Sequence, residues 1–203
     1  SSAPALVQAV KANGFGCDLV TSIPSGINSY EAAFVCLGIY SDNHQLSASE
    51  GQLLASYLNN GGQLYMEGGD TWYYDTKTAV HPYFNITGVA DGSDDLGILL
   101  GASSAFTSGM SFTYTGENNW IDRLAPAGSA FAIMNNSNPS YTAGVAYDGG
   151  SYRTVGLSFE FGGLTDGSSP STRNDLMAAI LGFFQLPVGP LTAGFVPASP
   201  NAC

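Results

Sequence analysis

Helix-like and strand-like patterns of hydrophobic residues alternate over the first third of the chain. Apolar residues recur at helical spacing over residues 3–13 and 47–60, and the second stretch opens with a Ser-x-x-Glu capping box. Short hydrophobic segments predict strands over 15–21, 32–38 and 64–70, and the middle one is apolar throughout, as in a central parallel strand. This order, with its short connections, predicts an α/β protein whose sheet is doubly wound and mostly parallel.

The middle of the chain has a different pattern. Residues 75–150 are rich in Gly, Ser, Thr, Asn and aromatic residues. Short alternating segments at 110–115, 130–134 and 143–147 predict extra antiparallel strands along one edge of the sheet. Asp148-Gly149-Gly150 predicts a hairpin turn before a strand over 152–159. Hydrophobic residues at helical spacing then predict a last helix over 173–184.

A flavodoxin-like sheet normally has a strand before its first helix, whereas this chain begins at the helix, so we expect its first strand to be missing from the chain. An empty central position would leave backbone groups unpaired, which is costly. The strand could lie upstream in a larger chain from which this one is excised or processed. It could also come from a partner chain, or from the apolar segment 191–196, paired within the chain or with a neighbour. We therefore expect one domain over residues 1–187, and a Pro/Gly/Ala-rich tail, linker or donated strand over 188–203.

The cysteines bear on the same question. A strand lying between the predicted strands of Cys17 and Cys36 would hold their Cα atoms ~9–10 Å apart, at ~4.8 Å per strand. That separation is beyond the reach of a disulfide bond.

Composition narrows the range of partners. The 203 residues contain 5 Lys and Arg against 16 Asp and Glu, a net charge of −11, which argues against a nucleic-acid partner. No apolar run approaches the ~18 residues that predict a membrane span. Charged residues make up only 10% of the chain, so Ser, Thr, Asn, Gly and Tyr must cover much of the surface, which favours a secreted or cell-surface protein.

The order of motifs over residues 3–72 resembles the class I glutamine amidotransferase-like (flavodoxin-like) superfamily. The apolar run 32–38 is followed by a helix ending in Tyr57-Leu58-Asn59-Asn60-Gly61-Gly62, and then by a strand ending in Gly68-Gly69. The strand and helix within 152–186 are consistent with the closing elements of that superfamily. The resemblance implies a flavodoxin-like fold.

The same resemblance implies that catalysis is lost. Active members carry a Cys-His-Glu triad on three strand ends, and the Cys should lie in the turn Gly68-Gly69-Asp70, which contains neither Cys nor Ser. Near the late strand only Glu160 matches, because His44 and His81 lie elsewhere. Without a nucleophile and its base, acyl transfer has no route, so the chain resembles a degenerate, non-catalytic member.

Acidic and aromatic residues near the predicted strand ends form a candidate ligand site. A cation or a sugar-like ligand would suit such a site, and two carboxylates could also act as general acid and base. Alternatively, these acids cap helices and turns. The candidate residues are Asp42, His44, Glu67, Asp70, Trp72 and Glu160.

A second acidic cluster suggests a metal. Asp91, Asp94 and Asp95 offer oxygen ligands with a glycine between them, as calcium prefers. The full calcium-loop pattern is absent, however, and a solvated turn is the simpler explanation of the cluster. Calcium is the one metal that we consider; no other cofactor is expected.

We therefore expect a non-catalytic domain that acts in structure, assembly or ligand binding within a secreted or cell-surface multidomain protein. Its partners would be other domains of the parent protein or neighbouring subunits, with carbohydrate as a candidate ligand. Two alternatives remain open. One is a hydrolase that acts on carbohydrate or peptide through Glu67, Asp70 and Glu160, and the other is a metal-stabilised binding module.

Overall fold

The computed structural model describes residues 2–186, together with the backbone of residues 192–197. Within these residues the α-helices are α1 (Ser2–Ala12), α2 (Ala48–Asn59) and α3 (Arg173–Phe183). The strands are β1 (Gly16–Leu19), β2 (Ala32–Cys36), β3 (Gln63–Glu67), β4 (Ile86–Ala90), β5 (Ile98–Gly101), β6 (Ser111–Tyr114), β7 (Arg123–Pro126), β8 (Phe131–Asn136), β9 (Tyr141–Asp148), β10 (Arg153–Leu157), β11 (Leu164–Thr165) and β12 (Thr192–Pro197).

All these strands belong to one mixed sheet. Its order is β1-β12-β2-β3-β10-β9-β8-β5-β6-β11, with β4 and β7 paired to each other and joined to the sheet through β9. The strands from β1 to β10 in this order are parallel, and the strands beyond β10 are antiparallel. The predicted mixed α/β class is confirmed. The sheet is not plainly doubly wound and flavodoxin-like, because antiparallel strands form a large part of it instead of a few additions at one edge.

The position next to β2 that the sequence leaves without a strand is occupied by the tail of the same chain. β12 lies between β1 and β2 and is parallel to both, with Gly194 opposite Asp18 on one side and Ala33 on the other. Cys17 and Cys36 therefore lie on strands separated by β12, and both are free thiols. The rest of the expected tail, including Cys203, lies outside the described residues.

Two hydrophobic clusters cover the faces of the parallel half, because successive side chains of a strand point to opposite faces. Phe34 and Tyr65 belong to the cluster that α1 and α3 complete, whereas Val35 and Met66 belong to the one that contains Leu54 of α2. The helix α2 begins as predicted, at a capping box in which Ser47 and Glu50 each accept a hydrogen bond from the backbone N–H of the other. Among the described residues no helix has the length and apolar character needed to cross a membrane.

The glycine turn after β3 lies tightly against the neighbouring strand ends. A side chain at Gly68 would press on Leu37, and one at Gly69 would press on Ile39. Gly69 N donates to the carbonyl of Gly38 over 3.0 Å, and Gly69 O accepts from Asp122 N over 2.7 Å. The turn therefore holds the loop after β2 and the segment before β7 together, and Asp70 follows directly at this edge of the sheet.

Candidate functional site

A cleft of about 440 Å³ opens beside the turn that follows β3. Its walls come from the loops after β2, β3 and β4 and from the loop before β7. The residues that line it are Tyr40, Asp70, Tyr74, Asp91, Asn118 and Trp120.

Strand pairing explains why two acids from distant parts of the sequence meet at this cleft. Strands β4 and β7 are antiparallel, with Ala90 opposite Arg123. The residue after Ala90 and the residue before Arg123 must therefore lie side by side, and these are Asp91 and Asp122. Asp70 joins them through the glycine turn, so that one carboxylate oxygen from each of the three acids lies within 4.8 Å of those of the other two. We call Asp70, Asp91 and Asp122 the acidic triad.

Asp122 is the most deeply buried member of the triad, with none of its surface exposed. Its Oδ2 accepts hydrogen bonds from Trp72 N at 2.8 Å and Tyr73 N at 2.6 Å. Its Oδ1 is also buried and has no hydrogen-bond partner among the described residues. Burial raises the pKa of Asp122 to about 7, with a further rise from the charge of Asp70, whereas the two backbone donors and Lys77 act to lower it.

The other two members of the triad line the cleft. Burial raises the pKa of Asp70 to about 6, helped by the charges of Asp75 and Asp91. Asp91 Oδ1 accepts hydrogen bonds from Trp120 Nε1 at 2.9 Å and from Gly92 N at 2.8 Å. Asp91 and Asp122 are thus oriented by fixed donors, which is the condition for a pre-formed site.

Three aromatic side chains surround the acids and face solvent. Tyr40 and Tyr74 are each 70% exposed, and Trp120 is 48% exposed. Asn118 links two of these aromatic residues through their backbones, because its Nδ2 donates to Tyr40 O at 3.2 Å and its Oδ1 accepts from Trp120 N at 2.7 Å. Large exposed aromatics next to convergent polar groups are typical of binding surfaces.

Glu67 and Glu160 are close to each other but do not line this cleft. Glu67 is buried, and its Oε2 accepts from the Tyr65 hydroxyl in a short hydrogen bond and from Phe161 N at 2.9 Å. Burial raises the pKa of Glu67 to about 7, and the charge of Glu160 adds to the rise, against hydrogen bonds from Ser2, Tyr65 and Phe161. The structure therefore separates Glu67 and Glu160 from Asp70.

The remaining candidates from the first acidic set have local roles. Asp42 is exposed, and His44 Nε2 lies 3.0 Å from Glu50 Oε1 at the start of α2. Trp72 is buried, and its Nε1 donates to Leu157 O at 2.8 Å, so its ring does not face the cleft.

The structure also places the members of the second predicted set in different surroundings; these are Asp91, Asp94 and Asp95. Asp91 belongs to the triad, whereas Asp95 forms an ion pair of 2.6 Å with Arg123 and accepts from the Tyr141 hydroxyl at 3.0 Å. Asp94 is exposed. Sequence reasoning missed Asp122, for which the only local signal is an acid between Ile121 and the strand-like segment that follows.

No protein-family model matches the chain, and no curated protein matches it. Among solved structures, the cytoplasmic protein STM3548 from Salmonella typhimurium is 12% identical, with a TM-score of 0.62 over 90% of this chain and 87% of that one. The N-terminal domain of mmIFT52 is 13% identical, with a TM-score of 0.54 over 83% of each chain.

A third structure is Agd3, a novel carbohydrate deacetylase. It is 18% identical, with a TM-score of 0.52 over 80% of this chain, which spans 28% of the deacetylase chain. At these identities the likenesses show a shared fold alone. They lend no support to the amidotransferase-like superfamily in particular.

Proposed function

We propose that this chain is a non-catalytic domain that binds carbohydrate in the cleft lined by Tyr40, Tyr74 and Trp120. The observation that carries the proposal is the placing of three exposed aromatic rings around carboxylate and amide groups in one concave surface. Sugar rings present apolar C–H faces that stack on aromatics and hydroxyls that hydrogen-bond to carboxylates and amides. The low charged fraction of 10% supports a secreted or cell-surface setting for such a domain.

The fold comparison adds a second line of support. A protein described as a carbohydrate deacetylase contains a region with this fold. The region is only 28% of that protein, so we do not extend deacetylation to this chain. We take from it the proposal that this fold serves within carbohydrate-handling proteins.

Calorimetric titration of the purified chain with a panel of soluble oligosaccharides and polysaccharides tests the proposal. We expect saturable binding to at least one class, weakened about tenfold by Tyr74→Ala, which corresponds to ~1.4 kcal/mol. Tyr73→Ala is the matched control, because Tyr73 is also exposed but does not line the cleft. Absence of binding across the panel, or equal loss in both variants, would overturn the proposal.

A reducing-end assay on the same polysaccharides tests the hydrolase alternative. Two carboxyl groups with raised pKa values, Asp70 and Asp122, are the pair that could act as acid and base. Release of reducing ends from a bound polysaccharide, lost in Asp70→Asn, would replace the binding proposal with a hydrolase.

Assembly is a second candidate function, and it rests on the edge strand β1. Among the described strands β1 pairs with β12 alone, and Leu19 at its end is 52% exposed. A free strand edge can accept a strand from another chain. Light scattering after size-exclusion chromatography tests this: a concentration-dependent dimer that becomes monomeric in Leu19→Lys supports assembly through β1, and a monomer at all concentrations contradicts it.

A further inference from the structure

The acidic triad has the geometry of a cation site. Ligand oxygens bind calcium at about 2.3–2.6 Å, so two ligands of one ion lie at most about 5 Å apart. One oxygen from each of Asp70, Asp91 and Asp122 lies within 4.8 Å of the others, which satisfies this limit for all three pairs.

A second observation points to a missing ligand at the same place. Asp122 is completely buried, and its Oδ1 has no hydrogen-bond partner among the described residues. An unpaired buried carboxylate oxygen is costly. The other oxygen is held by Trp72 N and Tyr73 N, so the carboxylate is fixed in place and cannot rotate freely to find a partner.

Among the described residues, no basic side chain forms an ion pair with the acidic triad. The positive charge of Lys77 acts on Asp122, but the Lys77 Nζ donates to Thr71 O at 3.0 Å. A fourth acid, Asp75, adds negative charge to the surroundings of Asp70.

We infer that Asp70, Asp91 and Asp122 form a calcium-binding site. The triad offers only carboxylate oxygens, which suit hard cations, and no His or Cys belongs to the group. Calcium takes six to eight oxygen ligands in flexible geometry, and the open cleft admits the waters that complete its shell. Magnesium holds its own waters more firmly and needs nearly octahedral geometry, so it should bind more weakly.

Cation binding at the triad does not require that a carbohydrate also binds. One consequence does rest on the carbohydrate proposal. A cation beside Tyr74 and Trp120 would face the cleft and bind vicinal hydroxyls of the sugar.

The test uses the purified chain after removal of metal with EDTA and dialysis, titrated with CaCl2, MgCl2 or MnCl2 alone. We expect saturable heat for calcium and a rise of several degrees in Tm, since a ligand that binds only the folded state stabilises it. Asp122→Asn and Asp91→Asn should each weaken calcium binding at least tenfold. Asp94→Asn is the matched control, because Asp94 is an exposed acid three residues from Asp91 and outside the triad.

Several results would overturn the inference. These are no calcium response up to millimolar concentration by a folded protein, an equal loss in Asp94→Asn, or a response to Mg²⁺ or Mn²⁺ without one to Ca²⁺. Near-ultraviolet circular dichroism in EDTA shows whether Asp122→Asn is folded, and the cleft-lining variant Asp91→Asn gives a second test. Calcium binding without sugar binding would leave this inference standing while the carbohydrate proposal fails, and sugar binding in EDTA without calcium binding would do the reverse.

Discussion

The indole of Trp120 is hydrogen-bonded through Nε1 to Oδ1 of Asp91, over 2.9 Å. One side chain thus supplies both an exposed ring for the cleft and a donor that orients a carboxylate of the acidic triad. The aromatic wall and the triad are therefore one connected site, and a change to Trp120 should affect both.

Replacing Trp120 separates these two roles. Trp120→Phe keeps a ring but removes the donor, so we expect a loss of about threefold in carbohydrate affinity, whereas Trp120→Ala should lose about tenfold or more, in line with ~1.4 kcal/mol per factor of ten. Titration calorimetry with the best oligosaccharide measures both. Equal affinities for Trp120→Ala and the wild-type chain would contradict the role of this ring.

Gly92 fixes the distance between Asp91 and the segment that carries Asp122. A Cβ at Gly92 would overlap the backbone nitrogen and oxygen of Ile121, which cannot move as a flexible side chain would. We expect Gly92→Ala to destabilise the fold by about 1–3 kcal/mol and to weaken calcium binding by pushing the two acids apart. Urea unfolding and calcium titration measure these effects.

The control for Gly92 is five residues away in the same loop. A Cβ at Gly97 would meet no atom within 4 Å, so Gly97→Ala should leave both stability and calcium binding near the wild-type values. If the two alanine variants behaved alike, the close approach of Gly92 to Ile121 would have no role in the site.

Glu67 should make stability fall as pH rises. Burial raises its pKa in the folded chain from an ordinary value of 4.5 to about 7, so between these values the folded state holds more protons than the unfolded state. Its contribution is fully present below about pH 4.5 and is lost as pH rises through 7. At about 1.4 kcal/mol for each pKa unit, the loss is up to ~3 kcal/mol.

Glu67→Gln is nearly isosteric, and its amide oxygen can still accept from Tyr65 and Phe161 N. We expect the difference in unfolding free energy between this variant and the wild-type chain to grow in favour of the variant from pH 4.5 to pH 7. Urea unfolding across that range measures it. Glu31→Gln is the control, because Glu31 is an exposed acid directly before β2, whereas Glu67 pairs with Cys36 at the end of that strand. A difference that does not change with pH would show that Glu67 is not protonated in the folded chain.

The parallel half of the sheet could be predicted because its helices and strands carry strong, regular patterns. The capping box at Ser47 and the apolar run that contains β2 are local signals, and both were confirmed. The antiparallel half is built from strands of two to eight residues whose pairing depends on distant neighbours. Strands β4, β5 and β7 were missed for this reason, since their burial is set by partners that the local sequence does not reveal.

The residues of the candidate site show the same contrast between local signals, which could be predicted, and distant pairing, which could not. Asp70 could be found because a glycine turn after a buried strand marks the edge where ligands bind. Trp72, only two residues later, points inward and packs against Phe84, with ring centroids 5.0 Å apart. Asp122 joins the site through the pairing of β7 with β4 and a backbone hydrogen bond to Gly69, and both contacts span more than thirty residues of sequence. Proximity in sequence therefore predicted position at the sheet edge but not the direction of a side chain.

The tail strand β12 should be essential to the fold. It pairs on both sides, with β1 and β2, so its removal would leave two rows of backbone groups without partners in the interior of the sheet. A chain that ends after residue 186 should therefore aggregate, or lose its cooperative unfolding transition.

A chain that ends after residue 197 keeps the whole of β12 and is the matched control. Thermal unfolding followed by circular dichroism, together with light scattering, compares the two. A shorter chain that remained a folded monomer would show that β12 is dispensable. Rescue of the shorter chain by an added peptide of residues 187–203 would show that the strand acts by pairing, because an extended peptide can complete an open sheet edge.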